Sequence, residues 1–167
     1  KTADRGAAWV QKVATAKQGS LGGVDVSILA ITPQQPDTVF VGTTSQGLWR
    51  STSSAEVWES IVAGTLSGRA AVTALAVDPT NARTFYVGTW SENLGVLLRT
   101  LDNGSSFETL YTTSRSAAIT GIIVDPTAPN RVFVATAQGG VLTTENRGAT
   151  WRALQWFGGP IRRIRVT

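Results

Sequence analysis

Apolar residues recur along this chain in three blocks that share one internal order. The first block reads VSILAITP from Val26, TVFVGT from Thr38, and GLWRSTSSAEVW ending at Trp58. The second reads VTALAVDP from Val72, TFYVGT from Thr84, and GVLLRTLDNGSSF ending at Phe107. The third reads ITGIIVDP from Ile119, RVFVAT from Arg131, and GVLTTENRGATW ending at Trp151. Short stretches rich in β-branched and aromatic residues are the pattern of strands, and no helical period persists along the chain. Each block predicts four strands. The first ends at Pro33, Pro79 or Pro126, because proline has no amide to extend a central ladder. The second covers Thr38–Thr43, Thr84–Thr89 and Arg131–Thr136, and the third opens after glycine at Leu48, Val96 and Val141. The fourth begins at the closing aromatic: Trp58–Ile61, Phe107–Leu110 and Trp151–Leu154.

The prolines are 46 and 47 residues apart, and the aromatics Trp9, Trp58, Phe107 and Trp151 are 49, 49 and 44 apart. Four strands repeating every 40–50 residues or so are the sequence mark of propeller blades. The expected fold is therefore all-β, a β-propeller fragment of four-stranded antiparallel blades. Residues 1–22 read as the fourth strand of a preceding blade plus a loop. Residues 23–66, 67–115 and 116–158 read as blades, and 159–167 as the first strand of a following blade. Such rings close with about four to eight blades, and three and a half would leave apolar end faces bare. A larger ring is expected, completed by another chain, a second copy or further sequence. The ends agree with that expectation. Lys1 is not an initiator, no signal-peptide stretch follows it, and Ile161–Thr167 stops in mid-pattern.

Composition narrows the chemistry. The 167 residues fit one domain, and no apolar run reaches the roughly 18 residues of a membrane helix. Cys 0 removes disulfides, thiol catalysis and cysteine-ligated zinc, and His 0 removes the usual base near neutral pH and the commonest metal ligand. Neither a metal nor a cofactor is expected. Lys+Arg 15 against Asp+Glu 11 gives +4, with Lys1, Lys12 and Lys17 the only lysines. Arginine favours planar, paired contacts with anions and aromatic faces. The cations are scattered, with one dense cluster at Arg162, Arg163 and Arg165, so nucleic acid is not an expected partner.

The segment between third and fourth strands carries its own motif. It reads Thr2-Ala3-Asp4-Arg5-Gly6-Ala7-Ala8-Trp9, Thr100-Leu101-Asp102-Asn103-Gly104-Ser105-Ser106-Phe107, and Thr144-Glu145-Asn146-Arg147-Gly148-Ala149-Thr150-Trp151. Ser51 to Trp58 is a degenerate copy without the Asp and the Gly. This resembles the Asp-box, S/T-x-D-x-G-x-x-W/F, of the bacterial neuraminidase-type repeat propellers, and the likeness runs through nearly the whole chain. The motif's physics is structural. An Asp or Asn side chain accepts backbone amides, Gly permits positive φ, and the aromatic pins the turn to the layer between blades.

The resemblance implies two opposite loop faces. Asp-boxes lie on one, with the first-to-second turns holding Asp37, Asp78 and Asp125. Fourth-to-first and second-to-third loops lie on the other, where partners bind. Asp25 and Glu92 are the only acids on that second face and the only weak catalytic candidates, since glycoside hydrolysis ordinarily needs two carboxylates. The tyrosine of sialidases has no match in Tyr86 or Tyr111. Thr44, Trp90 and Ala137 stand where xyloglucanase-type propellers place an acid, so catalysis is not expected. Trp90 and the pair Trp156-Phe157 lie in loops and either bind a partner or cap the neighbouring blade, with Phe157 leaning to burial. Arg69 and Arg115 occupy equivalent loops and either bracket an anion or are solvated, while Arg162 and Arg163 could line the channel.

Two readings follow. One is a non-catalytic recognition or scaffolding propeller for a protein or glycan, as in the photosystem II assembly-factor and sortilin-type propellers it resembles. The other is a fragment of a carbohydrate-active propeller. The resemblance implies an extracellular, periplasmic or lumenal location.

Overall fold

The computed structural model describes residues 2, 5–8, 23–32, 34–114, 116–161 and 164. Their strands form three four-stranded antiparallel sheets, each a simple meander in chain order. The first holds β1 (Val26–Thr32), β2 (Gln35–Thr43), β3 (Leu48–Ser51) and β4 (Glu59–Ile61). The second holds β5 (Ala71–Asp78), β6 (Asn81–Ser91), β7 (Leu94–Thr100) and β8 (Glu108–Thr112). The third holds β9 (Ile119–Val124), β10 (Val132–Thr136), β11 (Gly140–Thr144) and β12 (Arg152–Trp156).

Several boundaries differ from the sequence expectation. The fourth strands start one residue after the aromatic, which leaves the ladder so that its ring can turn into the seam between sheets. Strand β7 starts at Leu94 instead of Val96, because Glu92 and Asn93 (φ 51° and 63°) close a two-residue turn between Ser91 and Leu94. Such turns match the twist of the strands they join. Trp90 therefore belongs to β6, pairing with Ala71 and Gly95, and is not a loop residue. Trp156 likewise ends β12 opposite Gly140, and Tyr111 lies inside β8. Asp37 falls within β2, where its carboxylate meets the Ser54 hydroxyl. Phe157 is 47% exposed, because the chain leaves β12 there and no described side chain covers it. Trp9, Asp4, Arg115, Arg162 and Arg163 lie outside the described residues.

The core lies between sheets. Phe40, Leu48 and Ile61 of the first sheet pack on Val72, Leu75, Phe85, Val87 and Leu98 of the second. The opposite face of the second, Ala74, Tyr86 and Leu97, packs on Ile119, Ile122, Val124, Val132, Val134 and Leu142 of the third. This division follows from strand alternation, which sends successive side chains to opposite faces. Phe85 lies 4.8 Å from Phe40 and 5.9 Å from Phe107, and Trp151 lies 6.3 Å from Tyr111. Phe107 and Trp151 thus sit at corresponding corners of successive seams, and Trp58 is buried at its own corner. Gly42 and Gly88 hold equivalent places where a β-carbon would stand 2.5 Å from Val72 Cγ1 and 2.9 Å from Ile119 Cγ2.

The turns before these aromatics share one bonding scheme. In the β7–β8 turn, Gly104 N–H donates to Thr100 Oγ1 (2.9 Å), and Ser106 N–H donates to Asp102 Oδ1 (2.9 Å). In the β11–β12 turn, Gly148 N–H donates to Thr144 Oγ1 (2.9 Å), and Thr150 N–H to Asn146 Oδ1 (2.9 Å). The degenerate copy keeps the scheme with smaller groups. Ala55 N–H donates to Ser51 Oγ (3.0 Å), and Val57 N–H to Ser53 Oγ (2.9 Å), while Ala55 carries φ 71° where Gly104 has 88°. Gly6 has φ 99° and donates to Thr2 Oγ1 at 2.9 Å, the same first step.

An arginine ties each of the two later turns to the sheet before it. Arg50 donates to Asn103 O (2.7 Å), and Arg99 donates to Arg147 O (2.5 Å). Each also pairs with a glutamate of its own sheet, Glu59 and Glu108.

Candidate functional site

Connections sort to two ends of the sheets. The β3–β4-type turns dock on the first-to-second turns through Ser54 N–H to Asp37 O, Asn103 N–H to Arg83 O and Arg147 N–H to Asn130 O. At the other end, the remaining loops bond one another: Gly47 N–H to Ala70 O, Thr113 N–H to Gly95 O and Phe157 N–H to Gly139 O.

At that second end an open cleft of about 510 Å³ lies between the β4–β5 loop and the second sheet. The β4–β5 loop supplies Thr65, Ser67, Arg69 and Ala70. Strands β6 to β8 supply Thr89, Trp90, Ser91, Leu94, Val96, Thr109 and Thr112. The Arg69 amide donates to Ser67 Oγ (3.1 Å), which bends the loop and carries Arg69 toward the cleft. No carboxylate is among its described lining residues. Arg50, Arg99, Arg131 and Arg147 each have an acidic partner, whereas no acid lies within ion-pair reach of Arg69 among the described residues.

The structure thus brings together Arg69 and Trp90 of the residues expected from sequence. The two weak catalytic candidates do not join them. Asp25 is exposed just before β1, where its carbonyl accepts Thr44 N–H (3.0 Å), and Glu92 is exposed at the tip of the β6–β7 turn. The hydroxyls of Thr65, Ser67, Thr89, Ser91, Thr109 and Thr112 were not among the expected site residues. A partial signal exists in the alternation of Thr89 and Ser91 along β6.

The acids at the opposite end serve turns. Asp78 Oδ1 accepts the amides of Thr80 and Asn81, and Asp125 Oδ1 those of Thr127 and Ala128. The Thr127 hydroxyl and amide hold Asp125 below the usual carboxylate range. The Ser106 hydroxyl and amide, with the Thr100 hydroxyl, bring Asp102 down to about 2. Burial pushes the Tyr86 phenol up against the pull of nearby Arg99, and its hydroxyl has no hydrogen-bond partner among the described residues. A second cleft of about 390 Å³ lies beside the β11–β12 turn, lined by Thr143, Thr144, Glu145, Thr150, Trp151 and Arg152. Among the described residues no group of three or more Asp or Glu could hold a metal ion.

No protein-family model matches the sequence, and no curated protein matches it. Solved structures do resemble it. A GH74 xyloglucanase from Xanthomonas campestris superposes with TM-score 0.65 at 20% identity, covering 78% of this chain and 21% of that one. The GH74 enzyme of Niastella koreensis gives 0.63 at 20% identity, over 78% of this chain and 22% of its own. YCF48 bound to a D1 peptide gives 0.62 at 12% identity, over 78% and 40%. The fold is that of a β-propeller. The three sheets are its blades, and the chain spans about a fifth of the GH74 chains and two-fifths of YCF48. At these identities the likeness carries architecture and leaves function to the residues themselves.

Proposed function

We propose that this chain is part of an Asp-box propeller that works as a non-catalytic recognition unit, binding a protein or glycan partner through its second loop end. The observation that carries the reading is the cleft beside the β4–β5 loop, where Arg69 and Trp90 both line a hydroxyl-rich wall and no acid lies among the described lining residues. The Asp-box assignment draws support from the hydroxyl, Asx and positive-φ scheme repeated in three turns. A location outside the cytoplasm, extracellular, periplasmic or lumenal, belongs to the same proposal.

Further blades complete the ring in this reading. Val26, Leu29 and Ile31 are 53%, 62% and 59% exposed, while their equivalents Val72, Leu75, Ile119, Ile122 and Val124 are buried under a preceding blade. At the other end Phe133 is only partly buried, where the equivalent Phe40 and Tyr86 are fully buried. The Thr120 hydroxyl donates to Ile161 O (2.6 Å) as the Ser27 hydroxyl donates to Val72 O (2.6 Å), which fits a following first strand near residue 161.

The test is calorimetric titration of the chain with peptides and with oligosaccharides, repeated on Arg69→Ala and Trp90→Ala. Binding by either class that both substitutions weaken about tenfold supports the reading. Turnover of a glycan substrate, abolished by Asp25→Asn or Glu92→Gln, would replace it with the hydrolase alternative.

A further inference from the structure

We infer that the Arg69–Trp90 cleft takes an acidic oligosaccharide, one whose sugar units carry a uronic carboxylate; the inference rests on the recognition reading above. Three features of the cleft point to this chemistry.

The wall is made of hydroxyls. Thr112, Val96 and Thr89 form one row across β8, β7 and β6, and an irregularity in the β7–β8 register at Leu97/Leu98 brings Thr109 to the same face as Thr112. Thr65 and Ser67 face them from the β4–β5 loop. A hydroxyl both donates and accepts, as each sugar hydroxyl does, so the two sets can satisfy one another in many registers.

An apolar strip accompanies the hydroxyls. Leu94, Val96 and Ala70 offer a surface for the C–H face of a pyranose, with Trp90 at its margin.

Charge decides between acidic and neutral sugars. Among the described residues Arg69 has no acid within reach, and no carboxylate lines the cleft to repel an anion. A neutral sugar offers the guanidinium only uncharged hydroxyl acceptors, whereas a carboxylate pairs with it through two parallel, charge-assisted bonds. An acidic peptide fits the charge but not the floor. Strands β6 and β7 are each paired on both sides, so among the strands lining the cleft strand addition is open only along the outer edge of β8, whereas Arg69 stands two residues before β5, the strand at the opposite side of the sheet.

The experiment titrates the chain with trigalacturonate, a neutral cellulose trisaccharide and a glutamate-rich peptide, at low and at physiological salt. Trigalacturonate is expected to bind at least about tenfold more tightly than the neutral trisaccharide, and more weakly as salt rises. Arg69→Gln is expected to remove that margin and the salt dependence together, with the circular dichroism spectrum unchanged. Trp90→Phe, which keeps an aromatic ring in β6, is expected to weaken both sugars equally. Equal affinity for the two sugars overturns the inference. Peptide binding that depends on Arg69 and Trp90, with no uronate binding, overturns the inference and leaves the recognition reading standing. Binding of none of the probes overturns both.

Discussion

At the scale of single residues, the buried hydroxyl that opens the β7–β8 turn and the more exposed acid two places on do different work. Thr100 is buried and holds Gly104 N–H, Asp102 N–H and the Asp102 carboxylate at once. Thr100→Ala leaves a buried amide unpaired and should cost about 1–3 kcal/mol. The urea midpoint measures it, with exposed Thr52→Ala as the unchanged control. Asp102 is different. Its folded pKa of about 2 lies below its ordinary 3.8, so its stabilisation is complete above the ordinary value. That contribution fades as pH falls from there through the folded value. Asp102→Asn, which copies Asn146, should leave neutral stability nearly unchanged and flatten the acid limb, as read from denaturation midpoints between pH 5 and about 2. The turns were legible in sequence because all their partners lie within four residues of one another. Even the degenerate Ser51 copy keeps the geometry, with Ser53 in the place of the acid.

At the scale of elements, strands were legible and their exact ends were not. Alternation and proline mark where a ladder runs or stops. The β6–β7 turn at Glu92–Asn93 carries no glycine, and both residues adopt positive φ, so the strands extend further than composition suggests. The extension moved Trp90 from a loop into a sheet. Where sheets meet, close approach governs. Gly42→Ala puts a methyl 2.5 Å from Val72 Cγ1 and should destabilise by about 1–3 kcal/mol. A thermal melt checks this, and Ala135→Gly, at the equivalent place in the third blade, should cost less. The arginine ties add a second control. Arg99→Gln removes the bond to Arg147 O across the blade 2–3 seam and should cost about 1 kcal/mol, whereas the partly exposed pair with Glu108 contributes little.

At the scale of the whole molecule, stability is shared between neighbours, since each blade buries the face its neighbour leaves bare. The exposed row Val26, Leu29 and Ile31 should make this chain associate at micromolar concentration when studied alone. Sedimentation equilibrium measures the mass, and Leu29→Glu with Ile31→Glu should return it to one chain. A monomer with both residues intact would count against the partial-ring proposal.

The repeat, the four-strand unit, the turns and the inter-blade aromatics were written in the sequence, because each depends on neighbours a few residues away or on a period that returns. The cleft was not. Thr109 and Thr112 are three apart, so regular alternation would put them on opposite faces, and only the irregular β7–β8 register sets both beside Thr89. Arg69 and Trp90 stand 21 residues apart and share a cleft because the β5–β6 pairing sets Ala71, two residues after Arg69, opposite Trp90. Local hydrogen bonding is readable from spacing along the chain, whereas a surface assembled from a loop and three strands exists only once the register of the sheet is set.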